Sequence, residues 1–162
     1  MKLRNLTLAT TVVLLPSPAY AQYFECETCP AGTWNNGYYE SCQKCAAGTF
    51  SYIGSSSCTN CPAGKYSSSA GSSSCTNCSA GTYSTGGASS CTNCPAGKYS
   101  SSAGSSSCTN CSAGTYSTGG ASSCTNCLTT GVASCSATTG KATSCKAGYG
   151  FNSSNGTCTI CE

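Results

Sequence analysis

The sequence predicts a small disulfide-rich protein, an elongated tandem-repeat rod of short β-hairpins and loops with almost no helix outside a signal peptide. Residues 58–90 and 91–123 are the same 33 residues, twice in tandem. The chain carries 18 cysteines, and CxxC pairs recur every 16 or 17 residues, beginning at Cys26, Cys42, Cys58, Cys75, Cys91, Cys108 and Cys124. After residue 21, only four Leu, Ile or Val side chains remain to form a core.

The first element, residues 1–21, is predicted to be a secretory signal peptide. Lys2 and Arg4 give a positive start, residues 6–15 are mostly apolar, and Ala19-Tyr20-Ala21 has the pattern of a cleavage site. The apolar run is about half of the ~20 residues that a membrane span needs, so we expect no transmembrane segment here. Export places the protein outside the cell or at its surface, or in the periplasm of a Gram-negative cell.

Disulfides are predicted to hold the exported chain together. Four aliphatic side chains at ~1.5–3 kcal/mol each cannot offset an ordering cost of ~1–2 kcal/mol per residue. A cross-link that closes a loop of 13 or 14 residues supplies roughly 3 kcal/mol by restricting the unfolded chain. All 18 cysteines follow the cleavage site, and their even number allows complete pairing. The reduced chain is therefore expected to be unfolded.

Residues 22–57 are predicted to form N-terminal cysteine-rich modules, and residues 58–127 the tandem repeats. A glycine follows the second cysteine of each pair by three residues, at Gly32, Gly48, Gly64, Gly81, Gly97 and Gly114. An aromatic residue follows it by five, at Trp34, Phe50, Tyr66, Tyr83, Tyr99 and Tyr116. We expect the glycine to supply a turn of positive φ and the aromatic ring to cover a disulfide. Short strand pairs are expected around Thr-Tyr-Ser and Ser-Cys-Thr, with a Ser/Gly-rich return between them.

Residues 128–162 depart from the repeat and are predicted to form a divergent C-terminal module that caps the array. Cys127, Cys135 and Cys145 are spaced by 8 and 10 residues, and Cys145 to Phe151 returns loosely to the repeat motif. Since a CxxC pair elsewhere opens a new unit, the pair that ends at Cys161 is consistent with a fragment of a longer chain.

The charged residues exclude several functions. After residue 21 the chain has five Lys and four Glu, with no Arg, Asp or His. Such a sparse and scattered set argues against nucleic-acid binding and against an electrostatic membrane anchor. A Ser-His-Asp site cannot be built, so we predict no catalytic residues, no cofactor and no enzymatic activity.

Two chemical alternatives use the cysteines themselves. CxxC pairs about a dozen residues apart approach zinc-ribbon spacing, although export to an oxidising compartment and the lack of His oppose a metal site. CxxC is also the motif of thiol–disulfide exchange, but the βαβ context that lowers a thiol pKa is missing. No metal ligands are predicted, and a zinc-binding CxxC protein is retained as an alternative.

The motif CxxC-Pro-Ala-Gly-x-Tyr-Ser, followed by Gly-Ser-Ser-Ser-CxxC, resembles the ephrin-receptor-like cysteine-rich repeat between about Cys26 and Cys127. It is also similar to the first module of TNF-receptor cysteine-rich domains and to the growth-factor-receptor cysteine-rich group. Residues 145–161 show a weaker resemblance to EGF-like modules. Modules of this type occur in receptors, adhesins and matrix proteins, so the resemblance implies an interaction module without fixing its role.

The TNF-receptor-like resemblance implies a disulfide ladder, in which the second cysteine of each pair joins the first cysteine after the loop. The implied bonds are Cys29–Cys42, Cys45–Cys58, Cys61–Cys75, Cys78–Cys91, Cys94–Cys108, Cys111–Cys124 and Cys145–Cys158. The ladder is favoured because each bond encloses one complete glycine–aromatic loop. An interlocked pattern, such as Cys58–Cys75 with Cys61–Cys78, stays open, as do the partners of Cys26, Cys127, Cys135 and Cys161.

The functional prediction is a secreted or cell-surface repeat protein that acts as a structural spacer or an adhesion module, with an unidentified protein or carbohydrate ligand. The alternative is a receptor-like ectodomain whose ligand specificity lies in the less repetitive ends, residues 22–52 and 128–162.

Overall fold

The computed structural model describes residues 28–38 and 41–162, which contain sixteen strands and no helix. The predicted signal peptide and Cys26 lie outside the described residues. The strands are β1 Thr33–Trp34, β2 Gln43–Lys44, β3 Thr49–Phe50, β4 Thr59–Asn60, β5 Lys65–Tyr66, β6 Thr76–Asn77, β7 Thr82–Tyr83, β8 Thr92–Asn93, β9 Lys98–Tyr99, β10 Thr109–Asn110, β11 Thr115–Tyr116, β12 Thr125–Asn126, β13 Val132–Cys135, β14 Ala142–Cys145, β15 Tyr149–Asn152 and β16 Thr157–Ile160. Each odd-numbered strand pairs antiparallel with the strand that follows it. The predicted disulfide-rich hairpin rod is confirmed.

Six hairpins form the repeated part, and each is closed by one disulfide. We number these units 1 to 6 by their disulfide-closed loops, residues 29–42, 45–58, 61–75, 78–91, 94–108 and 111–124. The strands contain only two residues, so their ladders alone cannot hold a hairpin together. The strand pairs lie where the sequence predicted them, as in the pairing of Tyr83 with Thr92.

The turn of each hairpin depends on its glycine. In unit 3 the Lys65 N–H donates to the Pro62 carbonyl oxygen at 3.0 Å, and Gly64 between them has φ 84°. A positive φ at this corner of a turn favours glycine over residues with a Cβ. The prediction of positive φ is confirmed in all six units, at Gly32, Gly48, Gly64, Gly81, Gly97 and Gly114.

Backbone hydrogen bonds stack each unit on the next. The Gly64 N–H donates to the Ser84 carbonyl oxygen at 2.9 Å, and the Ser67 N–H donates to the Ala88 carbonyl oxygen at 3.2 Å. In return, the Gly87 N–H of unit 4 donates to the Cys61 carbonyl oxygen at 2.8 Å. The same three bonds recur at equivalent residues along the rod, so buried backbone groups are satisfied between units as well as within them.

The units also approach their second neighbours, which the sequence did not predict. A Cβ on Gly64 of unit 3 would overlap the carbonyl oxygen of Gly104 in unit 5 and lie 2.6 Å from its carbonyl carbon. The equivalent backbone approaches join Gly32 to Gly71, Gly48 to Gly87, and Gly81 to Gly120. A tandem repeat is ordinarily described by a stability that sums contacts between nearest neighbours. That description needs correction, because the turn glycine of one unit leaves room for the loop of the second unit along.

The interior of the rod is a column of sulfur and hydroxyl groups. Its fully buried side chains include Cys45, Cys61, Cys78 and Cys94, the second cysteines of their pairs. A serine directly after the aromatic residue is also buried, at Ser51, Ser67, Ser84, Ser100 and Ser117. The aromatic rings are only half-buried, so the predicted cover of the disulfides by these rings remains a prediction.

The C-terminal module continues the stack with a different fold. Strands β13 and β14 form a bulged hairpin, and β15 and β16 form a regular four-residue hairpin. Gly140 packs against the ring of Tyr116, since a Cβ there would lie 2.6 Å from ring carbons. The Cys161 N–H donates to the Gly148 carbonyl oxygen at 3.0 Å, as the Cys45 N–H does to Gly32. The return to the repeat motif after Cys145 is therefore visible in the backbone.

Candidate functional site

The disulfides form a ladder along the rod. The bonds are Cys29–Cys42, Cys45–Cys58, Cys61–Cys75, Cys78–Cys91, Cys94–Cys108, Cys111–Cys124, Cys127–Cys135 and Cys145–Cys158. Seven of them enclose a loop with a sequence separation of 13 or 14 residues, and the Cα atoms of each of these pairs lie 5.6–5.7 Å apart. These distances are normal for a disulfide. The interlocked alternative is not the arrangement of this structure.

The ends of the ladder hold the cysteines whose partners the sequence left open. Cys127 bonds Cys135 across a separation of eight residues, which closes the first turn of the C-terminal module. Cys161 is an exposed free thiol. No spacing rule pointed to Cys127–Cys135, because its loop lacks the glycine–aromatic motif that marks the other loops.

The disulfides also bear on whether the cysteines can bind zinc or take part in thiol–disulfide exchange. Sixteen cysteine sulfurs are joined in pairs and are therefore not thiolates that could bind zinc or attack a disulfide. In the part of the chain that the structure describes, there is no group of three or more His, Cys, Asp or Glu side chains that could hold a metal ion. Zinc binding would require the ladder to be reduced.

The buried serines are structural residues for which the sequence predicted no particular role. The Ser84 hydroxyl donates to the Lys65 carbonyl oxygen of the preceding unit at 2.9 Å, and Ser117 makes the equivalent bond to Lys98 at 2.7 Å. Ser67 instead donates to the Ser69 carbonyl oxygen within its own loop at 3.2 Å. The signal was present in the sequence, since a serine follows the aromatic residue in units 2 to 6.

Large apolar side chains are exposed at both ends of the described rod. They are Tyr38, Tyr52, Ile53, Leu128, Phe151 and Ile160. All six lie outside the tandem repeats, and all but Ile53, which follows directly after residue 52, lie in the segments where the sequence placed a possible ligand site. At the N-terminal end, the rings of Phe50 and Tyr52 meet edge to face with centroids 5.4 Å apart. This contact orients Tyr52 while leaving it largely exposed.

The repeats themselves form a shallow crevice between units 4 and 5. It has a volume of about 230 Å³ and is lined by Tyr83, Pro95, Lys98, Ser107 and Cys108. The disulfide Cys94–Cys108 holds together the two sides of unit 5 that line it. Lys98 is exposed and has no carboxylate partner among the described residues, whose acidic side chain is that of Glu162. The crevice thus combines an aromatic wall with an unpaired ammonium group.

Residues 48–83 and 81–127 match the family model described as Tyrosine-protein kinase ephrin type A/B receptor-like. These residues are ephrin-receptor-like cysteine-rich repeats. The resemblance inferred from the CxxC, glycine and aromatic positions is confirmed over units 2 to 6. Among curated proteins, none matches the chain. The TNF-receptor-like and EGF-like resemblances, and the boundaries at residues 22, 58 and 128, stay predictions.

Ephrin-receptor-like repeats of this kind, stapled by tandem disulfides, are characteristic of extracellular interaction modules. Residues 28–38 and 41–162 contain no helix that is long and apolar enough to cross a bilayer. The chemistry on the described surface consists of exposed lysines, serines and aromatic rings rather than a convergent set of acids, bases and nucleophiles.

Proposed function

We propose that this protein is a secreted or cell-surface, non-enzymatic rod that spaces or adheres, with the ephrin-receptor-like repeats setting its length. The stacking pattern supports the proposal most directly. Each unit meets the next through the same backbone bonds, as in Gly64 N–H to Ser84 O and Gly97 N–H to Ser117 O, both at 2.9 Å. Because these contacts are made by the backbone, a unit can be added or removed without redesigning its neighbours.

The test is to delete one 33-residue copy, residues 91–123, which leaves the CxxC register intact. In the shortened protein Cys124 takes the position of Cys91, so we expect it to bond Cys78 while the disulfides outside the deletion stay unchanged. The protein should lose only length, measured as the maximum dimension in small-angle X-ray scattering. On a cell surface, a spacer with one copy fewer should present a fused N-terminal tag closer to the membrane. A shortened protein that fails to export or reshuffles its disulfides would contradict the proposal.

A second candidate function is a receptor-like ectodomain that binds its ligand through the ends of the rod. The exposed side chains of Tyr52 and Ile53 in unit 2 favour it, since the equivalent positions of unit 3 are Ser68 and Ser69. Exposed aromatic and aliphatic groups set beside one another are typical of protein interaction sites.

The double substitution Tyr52→Ser with Ile53→Ser converts this loop to the residues of the repeats and separates the two functions. Since both side chains are exposed, the disulfides and the rod length should not change. An end-binding ectodomain would lose adhesion to its target surface in this variant. A spacer would keep all its properties, and grafting residues 28–58, which retains the Cys45–Cys58 bond, onto an unrelated rod would transfer no binding.

A further inference from the structure

The crevice between units 4 and 5 has the composition of a small saccharide site. Tyr83 and Pro95 form an apolar wall of the crevice. Lys98 contributes a positive charge and Ser107 contributes a hydroxyl group. Binding sites for small polar ligands combine such apolar walls with a few polar groups that fix orientation. The volume of about 230 Å³ is below the roughly 300–1,000 Å³ of pockets for drug-sized molecules, and it therefore suits a single ring.

The walls of the crevice are fixed by the fold. Tyr83 lies in β7 and pairs with Thr92, while the Lys98 N–H donates to the Pro95 carbonyl oxygen at 3.1 Å. The Lys98 carbonyl oxygen accepts a hydrogen bond from the Ser117 hydroxyl of the next unit at 2.7 Å. These bonds hold the backbone that carries Tyr83 and Lys98 in place. A preorganised site of this kind pays little ordering entropy when it binds.

The charges on the described surface indicate an anionic ligand. The described residues include five lysines but only one carboxylate side chain, that of Glu162. The lysines are Lys44, Lys65, Lys98, Lys141 and Lys146. An exposed ammonium without a carboxylate partner attracts an anion, and a carboxylate beside a flat ring can pair with Lys98 while the ring lies against Tyr83.

An equivalent set of residues lies 33 positions earlier in the chain, with phenylalanine in place of the tyrosine. The counterparts are Phe50, Pro62, Lys65, Ser74 and Cys75. Their backbone is held in the same way, with the Lys65 N–H donating to Pro62 O at 3.0 Å and the Ser84 hydroxyl donating to Lys65 O at 2.9 Å. Units 2, 4 and 6 carry threonine in place of the lysine, so the charged positions recur with the 33-residue period. Two lysine positions at a fixed spacing along the rod would favour a polymer over a monomer, because the second contact becomes intramolecular.

We propose that the crevice at Lys98, and with it the equivalent position at Lys65, binds uronate rings of an acidic polysaccharide, with the carboxylate on the lysine and the sugar ring against Tyr83 or its counterpart Phe50. This site goes beyond the spacer role, since a rod without it would still set a distance. An acidic peptide is the competing ligand, but a peptide carboxylate would need only the lysine and not the aromatic wall.

The experiment measures binding of the full exported protein to immobilised polygalacturonate by surface plasmon resonance. The double variant Lys65→Met with Lys98→Met keeps the apolar stems and removes two charges. Exposed ion pairs contribute enough for about a 1.4- to 5-fold change each, so we expect a loss of about 2- to 25-fold. The matched control, Lys44→Met with Lys146→Met, removes the same charge away from the Lys65 and Lys98 positions and should change binding little. Equal losses in the two double variants would overturn the proposal.

Two further comparisons test the sugar itself. Methyl-esterified polygalacturonate, which lacks the negative charge, should bind more weakly than the acid form, and equal binding would overturn the proposal. Tyr83→Ala should weaken binding of polygalacturonate but not of poly-L-glutamate, with the conservative Tyr83→Phe retaining binding. If poly-L-glutamate binds as tightly as polygalacturonate and neither depends on Tyr83, the surface binds acidic chains by charge alone and the saccharide site is wrong. The disulfide pattern of each variant checks its fold.

Discussion

Replacing Gly64 with alanine tests whether second-neighbour contacts stabilise the rod. Gly64 has φ 84°, and a Cβ there would overlap the Gly104 carbonyl oxygen two units away. Gly114 has nearly the same φ, 80°, but a Cβ there would meet nothing within 4 Å. The two substitutions therefore share the backbone strain and differ only in the steric overlap.

The magnitudes follow from these two geometries. Alanine at positive φ costs about 1–2 kcal/mol, and the restriction of the unfolded chain returns about 0.4–1 kcal/mol, so Gly114→Ala should destabilise by about 1 kcal/mol. Gly64→Ala adds an overpacking cost of about 1–3 kcal/mol, because the overlapping atoms are backbone. That backbone cannot retreat easily, since the Gly104 N–H donates to the Cys78 carbonyl oxygen at 2.8 Å.

Native-state hydrogen exchange is the suitable assay, because a repeat array opens locally and one global unfolding free energy does not describe it. In Gly64→Ala, the Cys78 N–H of unit 4, which donates to the Gly64 carbonyl oxygen, and the Gly104 N–H of unit 5 should both lose protection, although Gly104 lies two units from the substitution. In Gly114→Ala, the loss should be small and confined to the Cys127 N–H, which donates to Gly114. Equal losses of opening free energy in the two variants would refute the second-neighbour contact.

Two other predictions concern the disulfides and the buried serines. Removing one ladder bond by Cys94→Ser with Cys108→Ser should cost about 3 kcal/mol of local stability, since the bond closes a loop with a separation of 14 residues. The loss is measured as faster proteolysis of residues 95–107. An unchanged rate of cleavage would contradict this prediction. Ser84→Ala should weaken the contact between units 3 and 4 by about 1 kcal/mol, because its hydroxyl bonds Lys65 across units. The Ser67 hydroxyl bonds within its own loop, so Ser67→Ala should lower hydrogen-exchange protection only within unit 3. If Ser67→Ala weakened the contact between units 3 and 4 more than Ser84→Ala does, the serine hydrogen bonds would not be what couples the units.

Local features of the fold were predictable because each is determined by a few adjacent residues. The turn at Gly64 follows from the Pro-Ala-Gly-Lys sequence, and the strand pair of Tyr83 and Thr92 follows from the spacing between cysteines. The period of the CxxC pairs indicated the rod because the aliphatic residues could not form a core.

The features that the sequence did not predict depend on how units stack. The approach of Gly64 to Gly104 joins residues 40 positions apart, and no local pattern identifies that pairing. Ser84 reads as an ordinary loop residue until the stack buries it, with 3% of its surface exposed. The crevice at Lys98 is likewise built from two units, so its aromatic wall and its charge are not neighbours in the sequence.

A tryptic map of the unreduced protein tests the disulfide ladder most directly, because Lys44 lies between Cys42 and Cys45 and Lys65 lies between Cys61 and Cys75. The ladder closes Cys29–Cys42 within the peptide that ends at Lys44, and it closes Cys45–Cys58 within the peptide of residues 45–65. We therefore predict that mass spectrometry finds no covalent link between these two peptides, while Cys61–Cys75 links residues 45–65 to residues 66–98. A peptide ending at Lys44 that is joined to residues 45–65 would show an interlocked pairing and contradict the ladder.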